Sequence, residues 1–360
     1  VVSLSPYNPL QSELANGSAS LKVITRQWRY DLHPALQIRY LILKNDADCV
    51  VCFDFYTFFF ARMALLGYPK TAPKVFISQH TTIARDRKEY WQNLFYARLL
   101  RKEDRIITVC RNQADYLSAT YRIPARQFVT IYNGVDVEFF SSEQVNETGK
   151  VIRERLGIPL DVNVILHVAN FSSTKRHEDM LTALHILVEH NSDLRPFYVS
   201  VGGGNPDRER KARDLATSMG LVNNVLFAGI KDDVRPFYKI AACSCLSSVS
   251  ESFSITALES MAMGIPVVIT DVGGADEMVM NGFNGFIVPP KKPELLAKAL
   301  AKAIGKKYQF SENDIRDYVI KHFSVQKCVE HYARLLKAVS YTHLRAHETS
   351  LHLVCRLLLE

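Results

Sequence analysis

The sequence predicts an α/β protein with two doubly wound parallel sheets, one in each half of the chain. Two observations carry this. Short β-branched and apolar runs alternate with helix-forming segments over residues 1–140, and the same rhythm restarts at Val162. A chain of 360 residues with 48% hydrophobic content is also long enough for two such cores.

In the first series, strand signals fall at 1–4, 21–25, 49–53, 75–78, 105–109 and 128–131, with helical patterns at 55–66, 89–101 and 111–120. The run Phe53-Asp54-Phe55-Tyr56-Thr57-Phe58-Phe59-Phe60 is the most aromatic in the chain. It reads first as core, with an acceptor groove as the sharper alternative. His80 follows the 75–78 strand directly. Ligands of open parallel sheets bind beyond the carboxyl ends of the strands, which makes His80 a site candidate against the commoner structural or exposed histidine. Asn133-Gly134-Val135-Asp136 is a turn that closes the series, and a Ser-, Glu- and Asn-containing stretch at 141–150 reads as a linker.

In the second series a strand at 164–168 is followed by the loop Asn170-Phe171-Ser172-Ser173-Thr174-Lys175-Arg176-His177 and a helix at 177–190. Lys175 is placed to set an ammonium on a phosphate as a point charge. The strand at 197–202 runs into Gly202-Gly203-Gly204. A dinucleotide fingerprint would need glycine where the chain has Asp207, so that reading fails. A further strand is read at 225–230, and 293–304 and 324–338 read as amphipathic helices.

Residues 243–270, CSCLSSVSESFSITALESMAMGIPVVIT, read as strand, polar loop, helix and strand. The first free N–H groups of that helix, around Ser254, Ile255 and Thr256, form an anion site favoured by the helix dipole. Glu251 before the helix and Glu259 within it can then reach groups beyond the two ends of a bound diphosphate. A nucleoside diphosphate sugar has that layout. The bland alternative is a helix-start charge at Glu251 and a solvated helix residue at Glu259.

The spacing of Glu251 and Glu259 continues into Gly264-Ile265-Pro266-Val267-Val268, then Gly273-Gly274-Ala275-Asp276-Glu277, then Asn284-Gly285. In that order it resembles the family 4 retaining glycosyltransferases. The resemblance implies a GT-B fold, with two Rossmann-like domains facing across a cleft. It sets an acceptor-side domain at 1–140, a linker at 141–160, a nucleotide-sugar donor domain at 161–310, and helices at 311–339 that cross back. It implies sugar transfer from a UDP- or GDP-sugar to a glycan, lipid-linked or small-molecule acceptor, with retention and without a metal cofactor. Lys175 and the 254–256 amides would face the diphosphate, Glu259 the ribose, Glu251 the sugar, and His80 the sugar from the first domain. A G-x-G at Gly203 implies close backbone approach to the nucleotide, and the end of the 225–230 strand places Ile230 near the base. Three positions depart from the pattern: Ser252 and Ser254 stand for glycines, and Asn170 for an arginine that would share the diphosphate with Lys175, beside an additional Arg176. Rival readings are a nucleotide-sugar epimerase or hydrolase on the same fold, and a non-catalytic nucleotide- or lipid-binding remnant.

Composition narrows the rest. No run reaches the roughly 18–20 apolar residues of a membrane span, and the expectation is a cytoplasmic protein, extending to the inner face of a membrane. Seven scattered cysteines argue against a disulfide framework. Cys49-Val-Val-Cys52 looks like a metal or redox pair but lies in an apolar strand and reads as buried. Residues 1–140 hold 18 Lys/Arg against 12 Asp/Glu, so +6 of the net +7 lies there. The basic runs at 85–88 and 98–105, near Tyr90, Trp91, Phe95 and Tyr96, read as a solvated face or as a surface for anionic headgroups or a phosphorylated acceptor. No nucleic-acid module is visible. The family's opening strand and glycine loop have no counterpart before Val1, so the chain is expected to be N-terminally incomplete. Residues 340–360 have no family counterpart and are similar to translated adaptor read-through; His343, His347 and His352 are not read as a metal site.

Overall fold

A computed structural model describes residues 2–4, 22–25, 31–68, 72–305 and 307–340. The chain divides into two compact units, 1–133 together with the segment from 326, and 134–325. The 340–360 stretch, with its three histidines, lies outside the described residues apart from Ser340.

The first unit holds a parallel pair, β1 (Val2–Ser3) and β2 (Lys22–Val23). Then follow α1 (His33–Lys44), β3 (Cys49–Cys52), α2 (Phe55–Ala64), β4 (Lys74–Gln79), α3 (Arg87–Ala97), β5 (Arg105–Thr108), α4 (Arg111–Tyr121) and β6 (Phe128–Thr130). Strands β3 to β6 form a four-stranded all-parallel sheet in chain order. Helix α1 has no counterpart among the sequence expectations, and its burial explains why. Ala35 and Ile42 are buried while Leu36, Tyr40 and Leu43 are exposed, so its apolar residues draw no single stripe. The aromatic run is core: Asp54 and Thr57 form a capping box, and Phe55, Phe58 and Phe60 are buried. Cys52 is buried on β3, and burial raises its thiol pKa, which suits an inert structural cysteine.

The second unit runs α5 (Gly149–Leu156), β7 (Asn163–Val168), α6 (His177–His190), β8 (Pro196–Val201), α7 (Pro206–Ser218), β9 (Val225–Gly229), α8 (Arg235–Ile240) and β10 (Ala241–Leu246). It continues with α9 (Ile255–Ala262), β11 (Val267–Thr270), α10 (Ala275–Met278), β12 (Gly285–Val288), α11 (Pro293–Ile304) and α12 (Glu312–Phe323); α13 (Val325–Ser340) then belongs to the first unit beyond its first residue. The six strands are parallel in the order β12-β11-β10-β7-β8-β9. The chain therefore builds outward from β7 in one direction and from β10 in the other. The switch point between β7 and β10 is where a doubly wound sheet opens a crevice at its carboxyl edge.

The stretch 141–160 is structured rather than extended. Thr148 caps α5, Gly157 ends it in a left-handed conformation, and Ile152 is fully buried. Arg153 donates to the carbonyls of Pro159, Val162 and Ile240, each at 3.0 Å. The stretch 311–339 splits: α12 packs on α9, with Arg316 donating to the carbonyls of Val137, Phe140 and Ala262. The chain's two passages out of the second unit lie side by side, Val135 exchanging hydrogen bonds of 2.9 Å with Phe323 and Val325. A Cβ on Gly134 would come within 2.6 Å of Val325 Cα, which requires glycine there.

Candidate active site

The carboxyl ends of β7 and β10 bring Lys175 and Glu251 into direct contact. Lys175 Nζ pairs with Glu251 Oε1, and Ser248 Oγ donates to the same carboxylate oxygen at 2.9 Å. Both side chains are mostly buried, 23% and 15% exposed. The loops that carry them are laced together: Val249 N–H donates to Thr174 O at 2.8 Å, and Ser247 Oγ donates to the carbonyls of Lys175 and Arg176. From β11, Gly274 N–H donates to Ser252 O at 2.9 Å. Gly273 approaches so closely, at φ +58°, that a Cβ there would sit 2.4 Å from the carbonyl oxygens of Glu251 and Ser252. The loops after the two flanking strands of the sheet, β7 and β11, thus hold the Glu251 segment from both sides.

Helix α9 starts beside this pair. Ser254 is its N-cap: its Oγ accepts from Ala257 N–H at 3.4 Å, and its carbonyl accepts from Leu258 N–H. Ser254 therefore serves the helix through its side chain. Among the described residues, no acceptor meets the N–H groups of Ile255 and Thr256, which are the amides available to an anion. Glu259 lies on α9, half-buried, with Oε2 accepting from Tyr238 OH at 3.0 Å. Burial pushes its carboxyl pKa up to about 7, partly opposed by that hydrogen bond.

Behind Lys175 stands a stack of rings that sequence reasoning passed over. Phe171 stacks on His177 with centroids 4.1 Å apart, His177 on His167 at 4.6 Å, and His167 Nδ1 lies 3.0 Å from Tyr198 OH. Burial, with the Lys175 charge second, lowers His177 to about 4. His167 is also held well below its ordinary value, so both rings are neutral at pH 7. The Arg-His-Glu-Asp run that opens α6 was the available signal, but only the fold shows that His177 turns inward.

The remaining candidates divide. Arg176, in a left-handed conformation ahead of α6, pairs its guanidinium with Asp179 and Glu178. Asn170 is exposed at the same loop. The glycines have a nearer cause than a nucleotide. A Cβ on Gly202 would lie 2.2 Å from Ala169 O, one on Gly204 2.9 Å from Phe171 N, and one on Gly203 2.5 Å from Ile230 Cγ1. Phe171 N–H donates to Gly203 O at 2.6 Å, so the triple glycine is the seat of the Lys175 loop. Ile230 is 76% exposed, leaving an apolar surface beside Gly203. His80 belongs to the other unit, where it follows β4, half-buried, with Nε2 3.0 Å from Ser78 Oγ; burial lowers its pKa. No cluster of His, Cys, Asp and Glu suited to a metal ion occurs among the described residues, and no described helix is long and apolar enough to cross a membrane.

Two family profiles together span most of the chain: "Glycosyl transferases group 1" over residues 150–322 and "Glycosyltransferase Family 4" over 1–139. An uncharacterized glycosyltransferase of Methanocaldococcus jannaschii is 29% identical over 225 residues, 60% of this chain and 53% of its own length. A D-inositol 3-phosphate glycosyltransferase of Thermobispora bispora is 28% identical over 208 residues, 56% of this chain and 48% of its own. The chain thus spans about half the length of the curated relatives it matches. A crystal structure of a glycosyltransferase from Rickettsia africae superposes with a TM-score of 0.79 at 22% identity, covering 94% of this chain and 89% of that one. Anabaena HepE in complex with UDP-glucose superposes at 0.76 and 19% identity, covering 92% and 89%. At these identities the likeness is one of fold, two Rossmann-like units of the GT-B type.

Proposed function

Since the chain belongs to the group 1 and family 4 glycosyltransferases, we propose that it moves a sugar from a nucleoside diphosphate sugar to a hydroxyl acceptor with retention of configuration. The observation that carries the reading is the meeting of Lys175, Glu251 and the α9 amides at the switch point of the second sheet. An anion bound there meets one ammonium and two N–H groups while the anomeric C–O bond to the β-phosphate breaks. The acceptor oxygen bonds the same carbon, and its proton leaves with the diphosphate.

Without ligand, Lys175 is already neutralised by Glu251, and Arg176 by its own carboxylates. Donor binding therefore exchanges partners: the diphosphate takes Lys175, and Glu251 is released to accept hydrogen bonds from the sugar hydroxyls. Glu259 receives the ribose hydroxyls, and His80 contributes to the sugar site. The UDP-glucose in the HepE structure favours a uridine donor, and the inositol 3-phosphate named for several relatives favours a phosphorylated or polyol acceptor. Trp91 and Phe95, exposed on α3 beside Arg87 and Lys88, support a lipid-linked acceptor met at an anionic surface.

The test is saturation-transfer NMR against UDP- and GDP-sugars with Glu259→Ala as control. Binding of one nucleotide class, lost in the variant, supports the donor site. Release of free sugar without an acceptor, at a rate no acceptor raises, would favour a hydrolase or epimerase instead. Absence of binding by folded protein would refute the donor site.

A further inference from the structure

The first unit contains a hydrogen-bonded chain that the donor chemistry above does not use. Ser78, on β4, is 1% exposed; Tyr332, on α13, is 2% exposed. Ser78 Oγ lies 3.0 Å from His80 Nε2 and 2.9 Å from Tyr332 OH. Tyr332, 254 positions from Ser78 in sequence, thus meets His80 through one serine hydroxyl.

The Ser78 hydroxyl has one proton to give, so a continuous donor chain through it runs in one of two directions. Either Tyr332 donates to Ser78 and Ser78 to His80 Nε2, or His80 donates to Ser78 and Ser78 to Tyr332. A phenol is the more acidic hydroxyl, and a neutral imidazole nitrogen is a better acceptor than a hydroxyl oxygen. Both preferences select the first direction. Burial supports it, since it lowers the His80 pKa and keeps the ring neutral at pH 7. The nearby Gln79 amide does not compete, because its Nε2 is spent on Thr81 O and Oγ1 at 3.0 Å. With Nε2 accepting, the ring proton must sit on Nδ1. Among the described residues, nothing accepts from Nδ1.

We infer that Ser78 and Tyr332 are positioning residues that hold His80 as its Nδ1–H tautomer, so that the ring offers a neutral N–H donor to a ligand oxygen. This rests on the assignment of His80 to the sugar site. The ligand chemistry it selects is a hydroxyl or ring oxygen of a glycosyl group, which has lone pairs to accept; a cation or an N–H donor would be disfavoured. The arrangement also gives α13 a role, because its Tyr332 hydroxyl sets the direction of the chain.

The experiment is long-range ¹H–¹⁵N NMR of imidazole-labelled full-length protein, which reads the tautomer without reference to activity, followed by donor turnover of the same samples. The wild type is expected to show a protonated Nδ1 and an unprotonated Nε2 for His80. Tyr332→Phe, which keeps the buried ring, and Ser78→Ala should both move the population toward Nε2–H. Ser78→Ala should lower turnover about five- to tenfold with the donor KM nearly constant, the size of one neutral hydrogen bond. An Nε2–H wild-type ring overturns the inference. So does full turnover in Ser78→Ala beside loss in His80→Ala. Full turnover in His80→Ala overturns it through the parent assignment, while the tautomer signal shows whether the hydrogen-bonded chain itself was read correctly.

Discussion

Glu251→Gln is predicted to tighten nucleoside diphosphate binding while it lowers sugar transfer. The substitution keeps the size of the side chain and an oxygen to accept from Ser248 Oγ, but removes the charge that neutralises Lys175. At hydrogen-bonding distance the Coulomb energy of such a pair is of the order of 4 kcal/mol for an effective dielectric of about 20. Desolvation of two mostly buried groups offsets most of it, and exposed pairs net under about 1 kcal/mol. A pair 23% and 15% exposed falls between these cases, so releasing Lys175 should gain about 1 kcal/mol, or roughly fivefold in UDP affinity. Titration calorimetry with UDP, with uridine as the control that carries no phosphate, gives the measurement. The gain should shrink with added salt, because the site changes from neutral to singly positive. Equal or weaker UDP binding by Glu251→Gln would refute the exchange of partners, whatever happened to catalysis.

Lys175→Ala should weaken UDP binding at least tenfold and leave uridine nearly unchanged in the same calorimeter; equal losses would remove Lys175 from the phosphate. Glu259, with its pKa near 7, should bind ribose hydroxyls best when ionised, so UDP-glucose affinity is expected to rise severalfold from pH 6 to pH 8, and Glu259→Gln to flatten that profile. For stability the sign is opposite. A carboxyl raised from 4.5 to about 7 contributes fully below about pH 4.5 and loses that contribution as pH rises through 7. Glu259→Gln should therefore raise the melting temperature at pH 8 and not at pH 5, as thermal denaturation followed by circular dichroism would show. Gly204→Ala forces a Cβ to 2.9 Å from Phe171 N at φ +131° and should destabilise the second unit by about 2 kcal/mol or more, read from its denaturant midpoint.

The strands were legible because a parallel strand declares itself by composition alone. The expected strands at 164–168, 197–202 and 225–230 lie within one residue of β7, β8 and β9. Helices without a stripe were not. Helix α1 carries apolar residues on both faces, and α5 sits in a stretch whose polar composition hid its Thr148 cap and its buried Ile152. The E-x7-E unit placed Glu251 and Glu259 correctly on a loop and a helix, but spacing within one segment says nothing about partners from another. Lys175 is 76 positions from Glu251, and only the β7–β10 switch point brings them together. The same limit governed charge. Asn170 stands where the family pattern has an arginine, and the additional Arg176, left-handed in backbone, is paired with Asp179 and Glu178. What the sequence could not convey is that both cations of this loop already have carboxylate partners. On the proposed donor site, affinity for a diphosphate depends on how easily Glu251 lets go of Lys175 as well as on how many cations the loop contains.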